Sequence, residues 1–183
     1  MFLVKKLDRV VVYIDGGNFF RKLREPEIGF PIGKIFDYSK FVDNLVSDRK
    51  LVSKRYYIGI VRDTDGTQKS ADMVKHQQKF LAEIENEGFS VKRGRIVYDS
   101  PIREKGVDVK IATDLLIGAV DNLYDVAIVV SSDTDLLPAL AYLKYKKKKI
   151  EYVGFSHKPS FGMQKYADIS ILLQKKDIDI CIK

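Results

Sequence analysis

Val126-Ala-Ile-Val-Val-Ser-Ser-Asp-Thr-Asp-Leu-Leu137 begins as an apolar run of strand length, stops at two serines and two aspartates, and passes into a helical pattern at Leu136. A second run, Arg9-Val-Val-Val-Tyr-Ile14, has the β-branched and aromatic content of a strand buried on both faces, and it also stops at polar residues, Asp15-Gly-Gly-Asn18. Gly16 and Gly17 allow a sharp turn and a close backbone approach to a ligand, after which Phe19 to Leu23 can open a helix whose amides point at the same spot. Taken singly, an Asp or Asn in such a place is most simply a helix cap or a turn residue.

The chain around these runs alternates between the two periods. Tyr38 to Val46 reads as a helix, Lys54 to Val61 as a strand, Ala71 to Glu87 as a helix ended by Gly88, and Phe89 to Tyr98 as a third strand. Asp99 to Lys105 is a polar loop, and Gly106 to Val120 is a helix leading to the opening stretch as fourth strand. Leu136 to Tyr145 is then a helix, Ile150 to Phe155 a fifth strand, Ser160 to Tyr166 a short helix and Asp168 to Leu173 an apolar closing segment. The tail from Gln174 is expected to be an edge strand or disordered. Strands alternating with helices predict an α/β fold, a mainly parallel central sheet between two helical layers with right-handed crossovers.

With 183 residues and 45% hydrophobic content, one domain spanning 1–183 is expected. No apolar run approaches the roughly 20 residues of a membrane span, and Met-Phe-Leu-Val-Lys-Lys lacks the order of a secretory signal, so a cytoplasmic protein without a membrane partner is expected. Cys181 is the one cysteine and His76 and His157 the two histidines, which excludes a disulfide framework and a Cys/His zinc site; a metal would be held by oxygen. The net charge of +7 suits an anionic partner, although charge alone leaves nucleic acid an even choice. Lys144 and Lys146 to Lys149 fall at a helix C-terminus and a strand start, the sheet edge away from the strand C-termini, and read as a solvated face.

Ligands in an open parallel sheet bind beyond the strand C-termini, where the strand order reverses. Asp15 ends the first strand, Asp133 and Asp135 follow the fourth, and Asp108 shares the apolar stripe of Ile111, Ala112, Leu115 and Leu116 in the helix before it. If the first and fourth strands are neighbours, these carboxylates converge. Two like charges about 4 Å apart repel by about 1 kcal/mol in water and about 4 kcal/mol at an effective dielectric of about 20. A divalent ion removes that cost, and an all-oxygen donor set suits one or two Mg²⁺ or Mn²⁺ ions, with no organic cofactor. Such ions would polarise a phosphoryl group and activate a water, making phosphodiester hydrolysis the natural reaction, with Asn18 and Ser132 as hydrogen-bonding contacts. Asp114, four residues after Lys110, is a weaker candidate acid explained by a surface ion pair with that lysine. Asp63 and Asp65 read as solvated turn residues.

Tyr13-Ile-Asp-Gly-Gly-Asn18, Lys105-Gly-Val-Asp-Val-Lys-Ile-Ala-Thr-Asp-Leu-Leu116 and Tyr124-Asp-Val-Ala-Ile-Val-Val-Ser-Ser-Asp-Thr-Asp-Leu-Leu137 occur in order, followed by Val153-Gly-Phe-Ser156 and Tyr166-Ala-Asp168. In these motifs the chain resembles the NYN family, of the LabA-like type, within the PIN-like nucleases. The resemblance implies a three-layer PIN-like domain with strand order 3-2-1-4-5, which would set the first and fourth strands side by side. It also implies Mg²⁺- or Mn²⁺-dependent ribonuclease activity, with Asp15, Asp108, Asp133 and Asp135 at the catalytic and metal-binding acidic positions and Asn18 as the accompanying amide. Ser132 stands where family members often have Gly.

RNA cleavage is what this resemblance implies, and a metal-dependent endoribonuclease acting on single-stranded or loop RNA is the main expectation; DNA and a homodimeric partner stay open. Gly16, Gly17, Ser132, Arg62, Lys69, Arg103, Lys105, Lys110 and Lys158 are the candidate substrate contacts, and Phe19, Phe155 or Phe161 a candidate base stacker. The alternatives are a catalytically inactive RNA-binding or regulatory module of the same fold, and other phosphoryl-transfer folds. A haloacid-dehalogenase phosphatase would want Asp where Gly17 stands, and a topoisomerase-primase fold a Glu on the first strand.

Overall fold

In a computed structural model the fold is described over residues 6–63, 65–98 and 103–183. Most of the expected polar loop, Asp99 to Ile102, and the side chain of Arg103 lie outside the described residues. The strands are β1 (Arg9–Asp15), β2 (Lys50–Ile60), β3 (Ser90–Val97), β4 (Arg103–Lys105), β5 (Val126–Val130), β6 (Lys149–Phe155) and β7 (Ile169–Leu173). The helices are α1 (Gly16–Leu23), α2 (Tyr38–Val46), α3 (Gln68–Asn86), α4 (Val107–Val120), α5 (Leu137–Tyr145), α6 (Phe161–Tyr166) and α7 (Lys175–Asp179), with a 3-10 turn at Thr134–Leu136 before α5.

The strands form one sheet in the order β4-β3-β2-β1-β5-β6-β7, parallel throughout except for the antiparallel β3–β4 pair. Its central five strands reproduce the expected 3-2-1-4-5 order, and two edge strands are added. One, β4, occupies the end of what the sequence suggests is a loop: Arg103-Glu-Lys105 is too short and too charged to show a period, and it is a strand because Val97, Ile96 and Arg95 offer it a partner. The other is the closing apolar segment, which becomes β7 alongside β6. The tail is neither edge strand nor disordered. It turns into α7, where a reciprocal capping box between Gln174 and Asp177 satisfies the first-turn amides, and Ile178 and Cys181 are buried.

Alternation along the central strands divides the core. Val10, Val12 and Ile14 of β1 face one side with Ile128 and Val130 of β5, packing against Phe19, Phe41, Val42 and Ile84 of α1, α2 and α3. Val11 and Tyr13, with Ala127 and Val129, face the other, against Ile111 and Leu115 of α4 and Leu140 and Leu143 of α5. Truncating a fully buried residue such as Ile128 to Ala would cost about 2–5 kcal/mol. The same period of two carries past the strand ends. Asp15 falls on the α4 side after Val11 and Tyr13, and Ser131 falls there after Ala127 and Val129. Gly106, with φ of +81° and open space around its α carbon, turns the chain from β4 into α4 and brings the start of that helix over the strand ends.

Candidate active site

Asp15 is buried at 4% exposure and is the N-cap of α1: its Oδ1 accepts the backbone N–H of Asn18 at 3.0 Å, and its Oδ2 accepts the Ser131 hydroxyl at 2.9 Å. The parallel register Ile14↔Val130 sets Asp15 level with Ser131, so the adjacency of β1 and β5 and the bond between their ends are one fact. Ser131 Oγ in turn accepts the Asp133 N–H at 3.2 Å, and Asp133 Oδ1 caps the 3-10 turn by accepting the Asp135 N–H at 2.8 Å. Capping and site geometry therefore coincide in Asp15 and Asp133, because a cap must point its oxygens at the helix N-terminus, where a ligand would also sit. Asn18 Oδ1 accepts the Ser132 N–H at 3.3 Å; Ser132 Oγ meets the Tyr152 hydroxyl at 3.1 Å, and Tyr152 also accepts the Ser160 N–H at 3.0 Å. The loop after β6 is thus tied to the end of β5.

The acids feel one another. Desolvation by burial raises Asp15 above the ordinary carboxylate value against the bonds from Asn18 and Ser131, and Asp133 adds to the rise. Asp108, half-buried in the first turn of α4, is raised by desolvation and then by Asp133, Asp15 and Asp135. Asp135 is exposed. Glu104 of β4 joins them: desolvation raises it, with Asp15 and Asp108 adding to the effect. Its Oε1 accepts the Gly59 N–H, and its Oε2 lies over Gly17, where an added Cβ would stand 2.7 Å away. The positive charge of Arg21 in α1 partly offsets Asp15 and Glu104. Glu104, Arg21, Ser131 and Tyr152 carry no sequence signal beyond their proximity in the chain to the motifs, and they enter the site through the fold.

Other candidates lie elsewhere. Asp114 pairs not with Lys110 but with Tyr57 and Arg55: Tyr57 donates to its Oδ2 at 2.7 Å and Arg55 lies at 3.3 Å. These contacts hold α4 to β2, because Asp114 faces the sheet rather than solvent. Phe19 is buried among Phe36, Phe41 and Phe155, and Phe155 is itself core, so neither can stack on a base. Phe161 is 79% exposed. It opens α6, in which the next residue, Gly162, packs near Thr134 and Leu137 of the segment that follows β5. Arg62, Lys69, Lys105 and Lys110 are exposed, whereas Lys158 is drawn to Glu25 at 3.4 Å. The lysine run stays at the opposite edge, with Lys148 donating to Asn122 and to the carbonyl of Tyr124.

Among the described residues, the side chains that bring three ligand atoms within 4.8 Å of one another are Glu25, Glu27 and His157, away from the strand-end acids, which therefore stand wider apart. Glu25 is held down to about 2 by the His157 hydrogen bond and by Lys22 and Lys158, and two ammonium groups on one carboxylate oppose a further cation there. The strand-end acids fit a cation better. They are oxygen donors, burial and neighbouring carboxylates raise Asp15, Asp108 and Glu104, and the charge of Arg21 only partly offsets this at Asp15 and Glu104. A cavity of about 290 Å³ between α3 and the β2–β3 edge, lined by Ile60, Gln77, Leu81 and Arg93 among others, includes none of these acids. No helix among the described residues is long and apolar enough to cross a membrane.

The fold is similar to that of a Vibrio parahaemolyticus protein of unknown function, with 20% identity, a TM-score of 0.69, and coverage of 97% of this chain and 99% of that one. A chain described as a candidate UDP-N-acetylglucosamine 2-epimerase from Listeria monocytogenes matches at 12% identity and a TM-score of 0.43 over 97% of this chain and 43% of its own, too weak a likeness to carry an argument. No curated protein matches the sequence. The NYN domain model matches residues 9–174, from the first residue of β1 to just past the end of β7. NYN domains are nuclease-like and generally act on RNA, and PIN-like nucleases usually use divalent metals. The chain belongs to the NYN domain family, within the PIN-like superfamily.

Proposed function

We propose that this protein is a divalent-metal-dependent ribonuclease that hydrolyses RNA phosphodiester bonds endonucleolytically, in single-stranded or loop RNA, on Asp15, Asp108, Asp133 and Asp135. The observation that carries the reading is the delivery of Asp15, Asp108, Asp133 and Asp135 by β1, α4 and the turn after β5 to one sheet edge, where Asp133 bears on Asp15, and Asp133, Asp15 and Asp135 bear on Asp108. When bound, Mg²⁺ or Mn²⁺ would neutralise that charge, polarise the phosphoryl group and acidify a water. The chain's own part is to hold the carboxylates. Ser131 and the Asn18 N–H orient Asp15, the Asp135 N–H orients Asp133, and α4 carries Asp108 over them. The amides of Gly16 and Gly17 at the start of α1 suit a phosphate oxygen, and Asn18 and Ser132 offer polar contacts beside them. Phe161 suits an unpaired base next to the scissile phosphate, which favours single strands over duplex.

Incubation of mixed RNA with the protein and Mn²⁺ should give internal cleavage that Asp15→Asn and Asp133→Asn each abolish. Equal cleavage by those variants would refute the assignment. Salt-sensitive RNA binding without turnover in any divalent ion would instead favour the inactive RNA-binding module.

A further inference from the structure

Glu104 reaches the site from three strands away. The antiparallel β3–β4 pair sets it opposite Ile96, and parallel pairing sets Gly59 opposite Gly94 on the neighbouring strands. Neither glycine could carry a side chain in place. A Cβ on Gly94 would meet Val107 Cγ2 at 2.4 Å, and one on Gly59 would meet Glu104 Oε1 at 2.7 Å and its Cγ at 3.0 Å. The paired glycines thus open a trough across β3 and β2. Val107, the first residue of α4, occupies one end of it, and the Glu104 side chain lies along the other with its carboxyl toward Gly17. Both glycines have φ outside the left-handed region, so what the positions require is the missing side chain and not special backbone freedom.

We infer that Glu104 is a fifth carboxylate of the strand-end site, anchored through Oε1 by the Gly59 N–H and presenting Oε2 above Gly17 toward the cation that Asp15 and Asp108 would hold. One oxygen is tethered to backbone and the other is turned to the notch, where a Cβ built on Gly17 would stand 2.7 Å from Glu104 Oε2 and 3.8 Å from Asp15 Oδ1, so the two carboxylates face one small space. The inference rests on the proposed metal site but concerns a residue outside the four aspartates. It also gives the short strand β4 a purpose, since the β3–β4 pairing sets the height at which Glu104 crosses the trough.

Isothermal titration of Mn²⁺ into the wild-type chain, Glu104→Gln, Glu104→Ala and Asp15→Asn, alongside thermal unfolding without metal, tests this. The amide of Glu104→Gln keeps an acceptor for the Gly59 N–H, so that variant should unfold within a few degrees of wild type while binding Mn²⁺ roughly 10- to 100-fold more weakly. Glu104→Gln binding Mn²⁺ as wild type does, while Asp15→Asn does not bind, would overturn the role of Glu104 and leave the four-aspartate site standing. Mn²⁺ binding absent from wild type, or undiminished in Asp15→Asn, would overturn both.

Discussion

The Ser131 hydroxyl donates to Asp15 Oδ2 at 2.9 Å between two chain segments 116 residues apart, and Ser131 Oγ itself accepts the Asp133 N–H at 3.2 Å. One small side chain thereby sets the spacing between the acid that ends β1 and the acids that follow β5. Ser131→Ala removes a donor to a buried carboxylate and should cost about 1–2 kcal/mol of stability. The bond from Ser131 lowers the Asp15 pKa, so its loss raises that pKa further and moves the acidic limb of the cleavage profile to higher pH. The check is a pH–rate profile of the variant against wild type; an unmoved acidic limb with reduced stability would leave Ser131 a purely structural role.

Asp108 illustrates how a site withholds stability. Desolvation and then Asp133, Asp15 and Asp135 raise its folded-state pKa, so the fold prefers its protonated form. The associated stability is complete below the unfolded-state value and is lost as pH rises through the folded-state value. Asp108→Asn should therefore raise the Tm of the metal-free protein at neutral pH by about 2–4 °C, the shift that about 1 kcal/mol produces in a domain of this size. The gain should shrink as the pH falls through the carboxylate range. Adding Mn²⁺ should stabilise wild type and not the variant, reversing the order. Calorimetry across pH, with and without Mn²⁺, reads all of these effects.

Adjacent glycines in the Asp15-Gly-Gly-Asn18 turn should fail differently. A Cβ on Gly16 would stand 2.4–2.6 Å from the ring and hydroxyl of Tyr56, itself buried against Tyr38, so Gly16→Ala overpacks the core at about 1–3 kcal/mol. A Cβ on Gly17 would crowd the far end of the Glu104 side chain, at 2.7 Å, and touch Asp15 Oδ1 at an ordinary 3.8 Å. Gly17→Ala should fold nearly as wild type does and lose Mn²⁺ affinity and cleavage as Glu104 swings aside. Urea unfolding paired with a metal titration separates the two outcomes, and similar stability losses in both variants would contradict the trough geometry.

Phe161 is exposed, so its replacement should leave the Tm unchanged. Phe161→Ala should lower kcat/KM on single-stranded RNA roughly 5- to 100-fold, corresponding to about 1–3 kcal/mol for one base–aromatic stack, and Phe161→Trp should restore it. Equal losses on duplex and single-stranded substrates would place the effect outside base stacking.

What the amino-acid order determines by itself is local. Unbroken apolar runs mark β1 and β5, which are buried on both faces, and helical spacing marks α3 and α4, each within a few residues. The positions of Asp15, Asp108 and Asp133 relative to their own elements follow from those patterns, and so does the placement of the lysine run at the far edge. The family motifs added the central strand order.

Tertiary structure decided what depends on a partner distant in sequence. Arg103-Glu-Lys105 is a strand only because β3 lies beside it, and the tail is a helix only because Ile178 and Cys181 find a core to enter. Phe19 and Phe161 look alike as aromatics in the sequence; one is sealed among Phe36 and Phe41 and the other stands in solvent. Asp114 and Asp108 lie on one helix, yet Tyr57 and Arg55 claim the first while Asp133 and Asp15 surround the second. In the opening stretch, Val126 to Val130 announced a buried strand and its two aspartates a ligand-facing end. Only the pairing of β5 with β1 gave those aspartates Asp15 as a neighbour, because strand order comes from packing whole helices against whole sheet faces and no short window of sequence contains it.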